Sequence, residues 1–169
     1  KFNELGFHAF VLHYRVAPHR FPEPQEDVFR AIRLIRANAG KWCVIPDQLA
    51  VCGFSAGGHL AASAGTLYGE IHADAGDEAD SQEMRPNALI LCYPVISFTD
   101  FPHLGSGKNL LGERFDECRE RYSLEKRVSE KTPPAFLWHT AEDQTVPWQN
   151  SVLMAEALYE KKISLPRIK

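Results

Sequence analysis

The stretch Leu49-Ala50-Val51-Cys52-Gly53-Phe54-Ser55-Ala56-Gly57-Gly58 decides how the rest of the chain is read. Leu49 to Phe54 is a short apolar run that reads as a strand, and the small-residue-rich segment Gly57 to Tyr68, ending near Gly69, is helix-compatible. Between them, Gly53-Phe54-Ser55-Ala56-Gly57 matches G-x-S-x-G in the strand-turn-helix setting that the motif requires. A serine at so sharp a turn is forced into a strained backbone that presents its hydroxyl to a cleft. The flanking glycines remove side chains that would collide with the neighbouring strand and helix. The Ala56 amide, at the start of the helix, can donate to a developing oxyanion while the helix dipole supports negative charge there. The same letters also describe a glycine-rich turn with a capping serine, but the strand before and the helix after favour Ser55 as a nucleophile.

Outward from this turn, strands and helices alternate. Phe7 to Tyr14 reads as a buried strand, and the three prolines in Val16 to Pro24 forbid regular helix. A helix follows over about 23–39, with Val28, Ala31, Ile32 and Ile35 at helical spacing, Glu26 and Asp27 near its N-terminus, and Gly40 as C-cap. Ala88 to Tyr93, closed by Pro94, and Ala135 to Thr140, opened by Pro133-Pro134, are further strands. A last helix spans roughly 148–162, with Val152, Ala155, Leu158 and Tyr159 on one side. This alternation predicts an α/β fold on a mainly parallel sheet flanked by helices. The acidic segment Glu70 to Glu83 lacks the spacing of a calcium loop and reads as a solvated surface loop. Phe98 to Lys131 is a long connection of the kind that often covers a site.

Composition narrows the function classes. The 169 residues are 44% hydrophobic and 24% charged, which fits one soluble domain, taken as 1–169. A net charge of −3 and the lack of any Lys/Arg run argue against nucleic-acid binding. No apolar run approaches the roughly 20 residues that span a bilayer. Four cysteines are too few for a disulfide scaffold, and Cys52 and Cys92, inside apolar runs, read as buried free thiols. No motif calls for a cofactor or metal. The chain opens on Lys1 rather than Met, so the absence of a targeting sequence says nothing about localisation.

A serine hydroxyl needs a base and a group to orient that base, in the chain order Ser, Asp or Glu, His. Asp143, shortly after the strand that ends near Thr140, is the candidate acid. Its competing role is to cap the helix starting near Pro147, and the two can coexist. Asp100, after the preceding strand, is the second candidate. None of the seven histidines (His8, His13, His19, His59, His72, His103 and His139) follows Asp143. His139 lies within a strand, where a packed, hydrogen-bonded imidazole is usual, and His103 is out of order. None of them reads as the base.

Tyr14-Arg15-Val16-Ala17-Pro18, Phe21-Pro22-Glu23-Pro24 with Asp27, and Gly53 to Ala61 together resemble the esterase/lipase branch of the α/β-hydrolases. His103-Leu104-Gly105-Ser106, Asn109-Leu110-Leu111-Gly112, Tyr122-Ser123-Leu124-Glu125 and Phe136 to Asp143 look like its acetylxylan-esterase-like and feruloyl-esterase-like members. The resemblance implies an α/β-hydrolase fold and hydrolysis of short acyl esters, acetyl esters of carbohydrates foremost, through an acyl-enzyme on Ser55. It gives Asp143 the acid role and Ala56 an oxyanion donor, with no cofactor and a small-molecule or carbohydrate ester as the partner. Family members also carry an upstream Gly-rich loop that supplies a second oxyanion donor, and a downstream catalytic His. Neither has a counterpart here. The expectation is therefore the middle of a longer hydrolase, incomplete at both ends, with a gap in the sheet beside the Val51 strand and no activity in isolation. A serine peptidase of the same fold and an inactive remnant are the alternatives.

Overall fold

Three parallel strands, β1 (Ala50–Phe54), β2 (Ala88–Cys92) and β3 (Ala135–Trp138), lie side by side in that order. The computed structural model describes residues 1–164, so the last five residues of the expected domain lie outside it. Ala50 pairs with Ala88 and Leu89 with Ala135, which brings the C-terminal ends of all three strands to one edge of the sheet. In open α/β sheets this is the edge where ligands bind.

Helix α1 (Glu23–Ala37) leads through α2 (Ala39–Trp42) into β1, and α3 (Ala56–Thr66) carries the chain from β1 to β2. The crossover from β2 to β3 holds α4 (Leu104–Leu111) and α5 (Phe115–Cys118), and α6 (Gln149–Glu160) follows β3. Phe29 and Ile32 of α1, Leu60, Ala61 and Ala64 of α3, Leu89 and Leu91 of β2, and Met154 and Leu158 of α6 share one core. The small residues of α3 let it sit close to the sheet. A Cβ on Gly65 would lie 2.7 Å from Leu89.

Several expectations are corrected. Phe7 to Tyr14 forms no strand. Its composition favours an extended backbone, but a strand exists only through a neighbour's amides and carbonyls, and none is paired with it among the described residues. Its apolar side chains are largely exposed, and Phe10 lies against Trp42 at 5.4 Å between ring centroids. Neither outer edge of the sheet is paired among the described residues, and Phe54, Phe136 and Trp138 are exposed.

Asn38, not Gly40, ends α1, with both its amide and its side chain donating to Leu34 O. Gly40 sits inside α2, which Cys43 closes at φ +54°. Cys52 is exposed and Cys92 half-buried, because they point to the uncovered face of the sheet. The buried face of α6 is Asn150, Met154 and Leu158, whereas Val152 and Tyr159 face solvent. The acidic segment is more than a solvated loop. Asp74 and Asp80 pair with Arg33 and Arg30 of α1, Asp77 also pairs with Arg30, and Ile71, Ala73 and Ala79 are buried.

Asn150 ties α6 to the turns beyond the sheet. Its Oδ1 accepts from the Ile96 and Ser97 amides at 2.8 and 2.9 Å, and its Nδ2 donates to Phe101 O and Pro147 O at 3.0 Å each. Asn150→Ala leaves buried amides without acceptors and is expected to cost roughly 2–4 kcal/mol in urea unfolding.

Candidate active site

Ser55 follows β1 directly and takes φ +52°, ψ −122°, a conformation strained for any residue with a Cβ. Three hydrogen bonds hold it there. Its amide donates to Cys92 O at 3.1 Å, and its carbonyl accepts from Gly58 N at 2.9 Å and Val95 N at 3.0 Å. The glycines around it are steric requirements. A Cβ on Gly53 would lie 2.1 Å from Gly57 O, and one on Gly58 would lie 2.6 Å from Pro94. Ala56 opens α3, so its amide is among the first-turn donors that have no acceptor within the helix. A hydroxyl on a strained turn beside a helix start is an arrangement suited to attack on a carbonyl whose oxygen gathers negative charge.

Asp143 lies beyond β3 at the same edge of the sheet, in the turn that precedes α6. Its Oδ1 accepts from Thr145 N at 2.8 Å and Val146 N at 2.9 Å. Those two amides, Val146's foremost, hold the carboxyl below the usual carboxylate range. Its Oδ2 stands 3.6 Å from His139 Nε2. The His139 ring is buried and occupied at both nitrogens, with Nδ1 2.8 Å from Ser151 Oγ and Nε2 3.0 Å from Val146 O. A carbonyl only accepts, so Nε2 carries the proton and donates it to Val146 O. His103 caps α4, its Nδ1 accepting from Ser106 N at 3.2 Å. Asp100 is held in a turn, its amide donating to Ser97 Oγ at 2.9 Å.

A cavity of about 300 Å³ opens beside Ala56, between the segment from Tyr14 to Gln25, helix α3 and helix α4. Sequence reasoning did not anticipate it, because residues from four separated segments form its walls. Arg15 builds one side. Its amide and guanidinium donate to Asp27 at 2.7–3.1 Å, and the guanidinium also reaches Glu26 Oε2 and Glu23 O at 3.1 Å. Burial raises the Asp27 carboxyl, but the Arg15 bonds and charge outweigh it and leave the group below its usual range. His59 lies deeper. Its ring stacks on Phe98 at 4.5 Å, its Nε2 is 3.0 Å from Tyr122 O, and burial pushes its pKa down to about 4.

The helix-flanked parallel sheet, with a strained serine between strand and helix at its C-terminal edge, defines an α/β-hydrolase. The chain belongs to the BD-FAE family, whose profile matches residues 1–158. It is 41% identical over 170 residues to endo-1,4-beta-xylanase B of Butyrivibrio fibrisolvens, an alignment covering 96% of this chain and 26% of that protein. It is 33% identical over 150 residues to an acetylxylan esterase of Xylanibacter ruminicola, covering 86% and 29%. Among solved structures, an acetyl ester-xyloside bifunctional hydrolase from Caldicellulosiruptor lactoaceticus superposes with a TM-score of 0.91 at 45% identity. That match covers 97% of this chain and 61% of that one. The chain thus spans less than a third of the two curated relatives' lengths.

His59 generates a pH prediction. Its folded pKa, about 4, lies below the ordinary 6.5, so the unfolded chain takes up this proton more readily. Its neutral form is fully compatible with folding above pH 6.5, and stability falls as pH drops from 6.5 towards 4, by an amount on the order of 3 kcal/mol. Imidazole titration by NMR is expected to find His59 neutral at pH 5. A midpoint above 6 would contradict the burial argument.

Proposed function

We propose that the chain carries the nucleophile and the acid of a serine ester hydrolase that removes short acyl groups, acetyl foremost, from carbohydrates. The observation that carries this reading is the strained Ser55, pinned by Cys92, Val95 and Gly58 at the start of α3. The relatives add the substrate class, since two of them are named for acetyl-ester or acetylxylan hydrolysis.

In this mechanism Ser55 Oγ attacks the ester carbonyl as its proton passes to an imidazole. The Ala56 amide donates to the resulting oxyanion. The alcohol leaves with the imidazolium proton, giving an acyl-serine that water then hydrolyses. Asp143 orients the imidazole through its Oδ2, while Oδ1 remains bonded to the turn. The nearby imidazoles are otherwise engaged: His139 donates to Val146 O and His103 caps α4. The base is therefore assigned to a part of the full-length protein outside these 169 residues, as is a second oxyanion donor.

A fluorophosphonate probe on the full-length protein is expected to label Ser55, and Ser55→Ala to abolish labelling. Asp143→Asn should lower kcat by ~10³ to 10⁴ with the fold retained, because the imidazole is then held in the wrong tautomer. Labelling that survives in Ser55→Ala, or a large loss in Asp100→Asn with little in Asp143→Asn, would overturn the respective assignment.

Substrate class is read by comparing p-nitrophenyl acetate, p-nitrophenyl octanoate and a peptide p-nitroanilide. The acetate is expected to be cleaved fastest. Faster amide cleavage would make the protein a peptidase of the same fold.

A further inference from the structure

Val146 is held from both sides in the turn that carries Asp143. Its N–H donates to Asp143 Oδ1 at 2.9 Å, and its carbonyl accepts from His139 Nε2 at 3.0 Å. The imidazole is fixed in turn at its other nitrogen, where Nδ1 lies 2.8 Å from the hydroxyl of Ser151 on α6. One chain of hydrogen bonds therefore runs from α6 through the His139 ring and Val146 to the carboxylate. The Asp143 amide, donating to Thr140 O at 3.1 Å, closes the turn.

A histidine that only filled space would use neither nitrogen, whereas here the position of the ring proton matters. Two acceptors face Nε2, the Val146 carbonyl at 3.0 Å and Asp143 Oδ2 at 3.6 Å. With the proton on Nε2, its hydrogen stands among them and serves Val146 O. With the proton on Nδ1, three atoms bearing lone pairs would converge, and repulsion would drive the carboxylate and the Val146 carbonyl apart. The Val146 amide would then lose its aim at Oδ1.

Ser151 suits the first arrangement, since its hydroxyl can donate to a bare Nδ1. The His139 side chain is 6% exposed, so water has little access to replace a lost partner.

We propose that His139 is a positioning residue for the acid. Its Nε2 holds the Val146 carbonyl while Ser151 satisfies Nδ1, which keeps the Val146 amide on Asp143 Oδ1 and leaves Oδ2 for the catalytic imidazole. The role rests on the ester-hydrolase reading above, in which Asp143 is the acid.

The test measures p-nitrophenyl acetate hydrolysis by the full-length protein and its variants. His139→Phe keeps a ring but removes both nitrogens, and should lower kcat about tenfold with KM nearly unchanged. His139→Gln, whose amide can still donate to Val146 O, should lose only about threefold. Added to Asp143→Asn, His139→Phe should cost no more than about twofold further, because the carboxylate it aims is already gone. An unchanged kcat in His139→Phe, or an equal loss with and without Asp143→Asn, would make the ring a packing residue and overturn the proposal. If His139→Phe does not fold, Ser151→Ala, which leaves the ring in place, enters the same cycle and the same outcomes decide. The ¹⁵N spectrum of the His139 imidazole should place the proton on Nε2, and a proton on Nδ1 alone would also overturn the proposal. A harmless Asp143→Asn would remove the acid assignment and the positioning role together. A large loss in Asp143→Asn with an additive His139→Phe would remove the positioning role alone.

Discussion

The structure turns on the anchoring of the Ser55 peptide. A residue with a Cβ at φ +52° is costly, by roughly 1–3 kcal/mol, and persists only where its surroundings over-determine it. Here they do. The amide is bound to the last residue of β2, and the carbonyl is bound both by the first turn of α3 and by the chain leaving β2. These bonds require β1, α3 and the β2 exit to approach more closely than side chains allow, which is why Gly53 and Gly58 meet backbone or Pro94 where a Cβ would stand. The same approach sets the position of α3 and, through it, of His59 on the cavity floor.

Helix α1 secures the irregular segments around this centre. Val28, Phe29 and Ile32 enter the core, while Arg30, Arg33 and Arg36 reach the chain between 74 and 87. Arg36 is the most deeply committed. Burial lowers its pKa, and it donates to Pro46 O, Glu83 O, Arg85 O and the Asn87 side chain, so its charge is surrounded by acceptors. At its N-terminal end α1 offers Glu23, Glu26 and Asp27 to Arg15, holding the proline-rich segment against the cavity. One helix thus fixes an acidic loop at one end and a cavity wall at the other, using side chains of opposite sign.

The central strand-turn-helix unit was legible in the sequence because its determinants are local. An apolar run, a turn flanked by glycines where a Cβ would collide, and a small-residue helix follow one another within twenty residues. The strands at Ala88 and Ala135 were legible for the same reason, with prolines marking their ends. Phe7 to Tyr14 was not, since β-rich composition describes a preference and a strand needs a pairing partner. The face of α6 misled because it begins at buried Asn150, a polar residue whose burial makes sense only once its three bonds to distant backbone and its fourth to Pro147 O are seen. The cavity, assembled from α1, α3, α4 and a proline-rich segment, left no trace in local pattern, and neither did the pairing of acidic residues with α1 arginines.

Asp143 illustrates how one carboxylate serves a turn and remains chemically available. An ionised carboxyl offers about four acceptor sites. Both donated backbone hydrogens converge on Oδ1, which organises the turn from 143 to 146 and keeps the group ionised. Oδ2 is left at 3.6 Å from an imidazole nitrogen whose hydrogen is directed to Val146 O, beyond a strong bond. The capping reading and the acid reading therefore draw on different oxygens of the same side chain. The turn bonds place the carboxylate rigidly while its second oxygen faces no committed donor, and that combination of fixed position and unused acceptor is what an orienting acid requires.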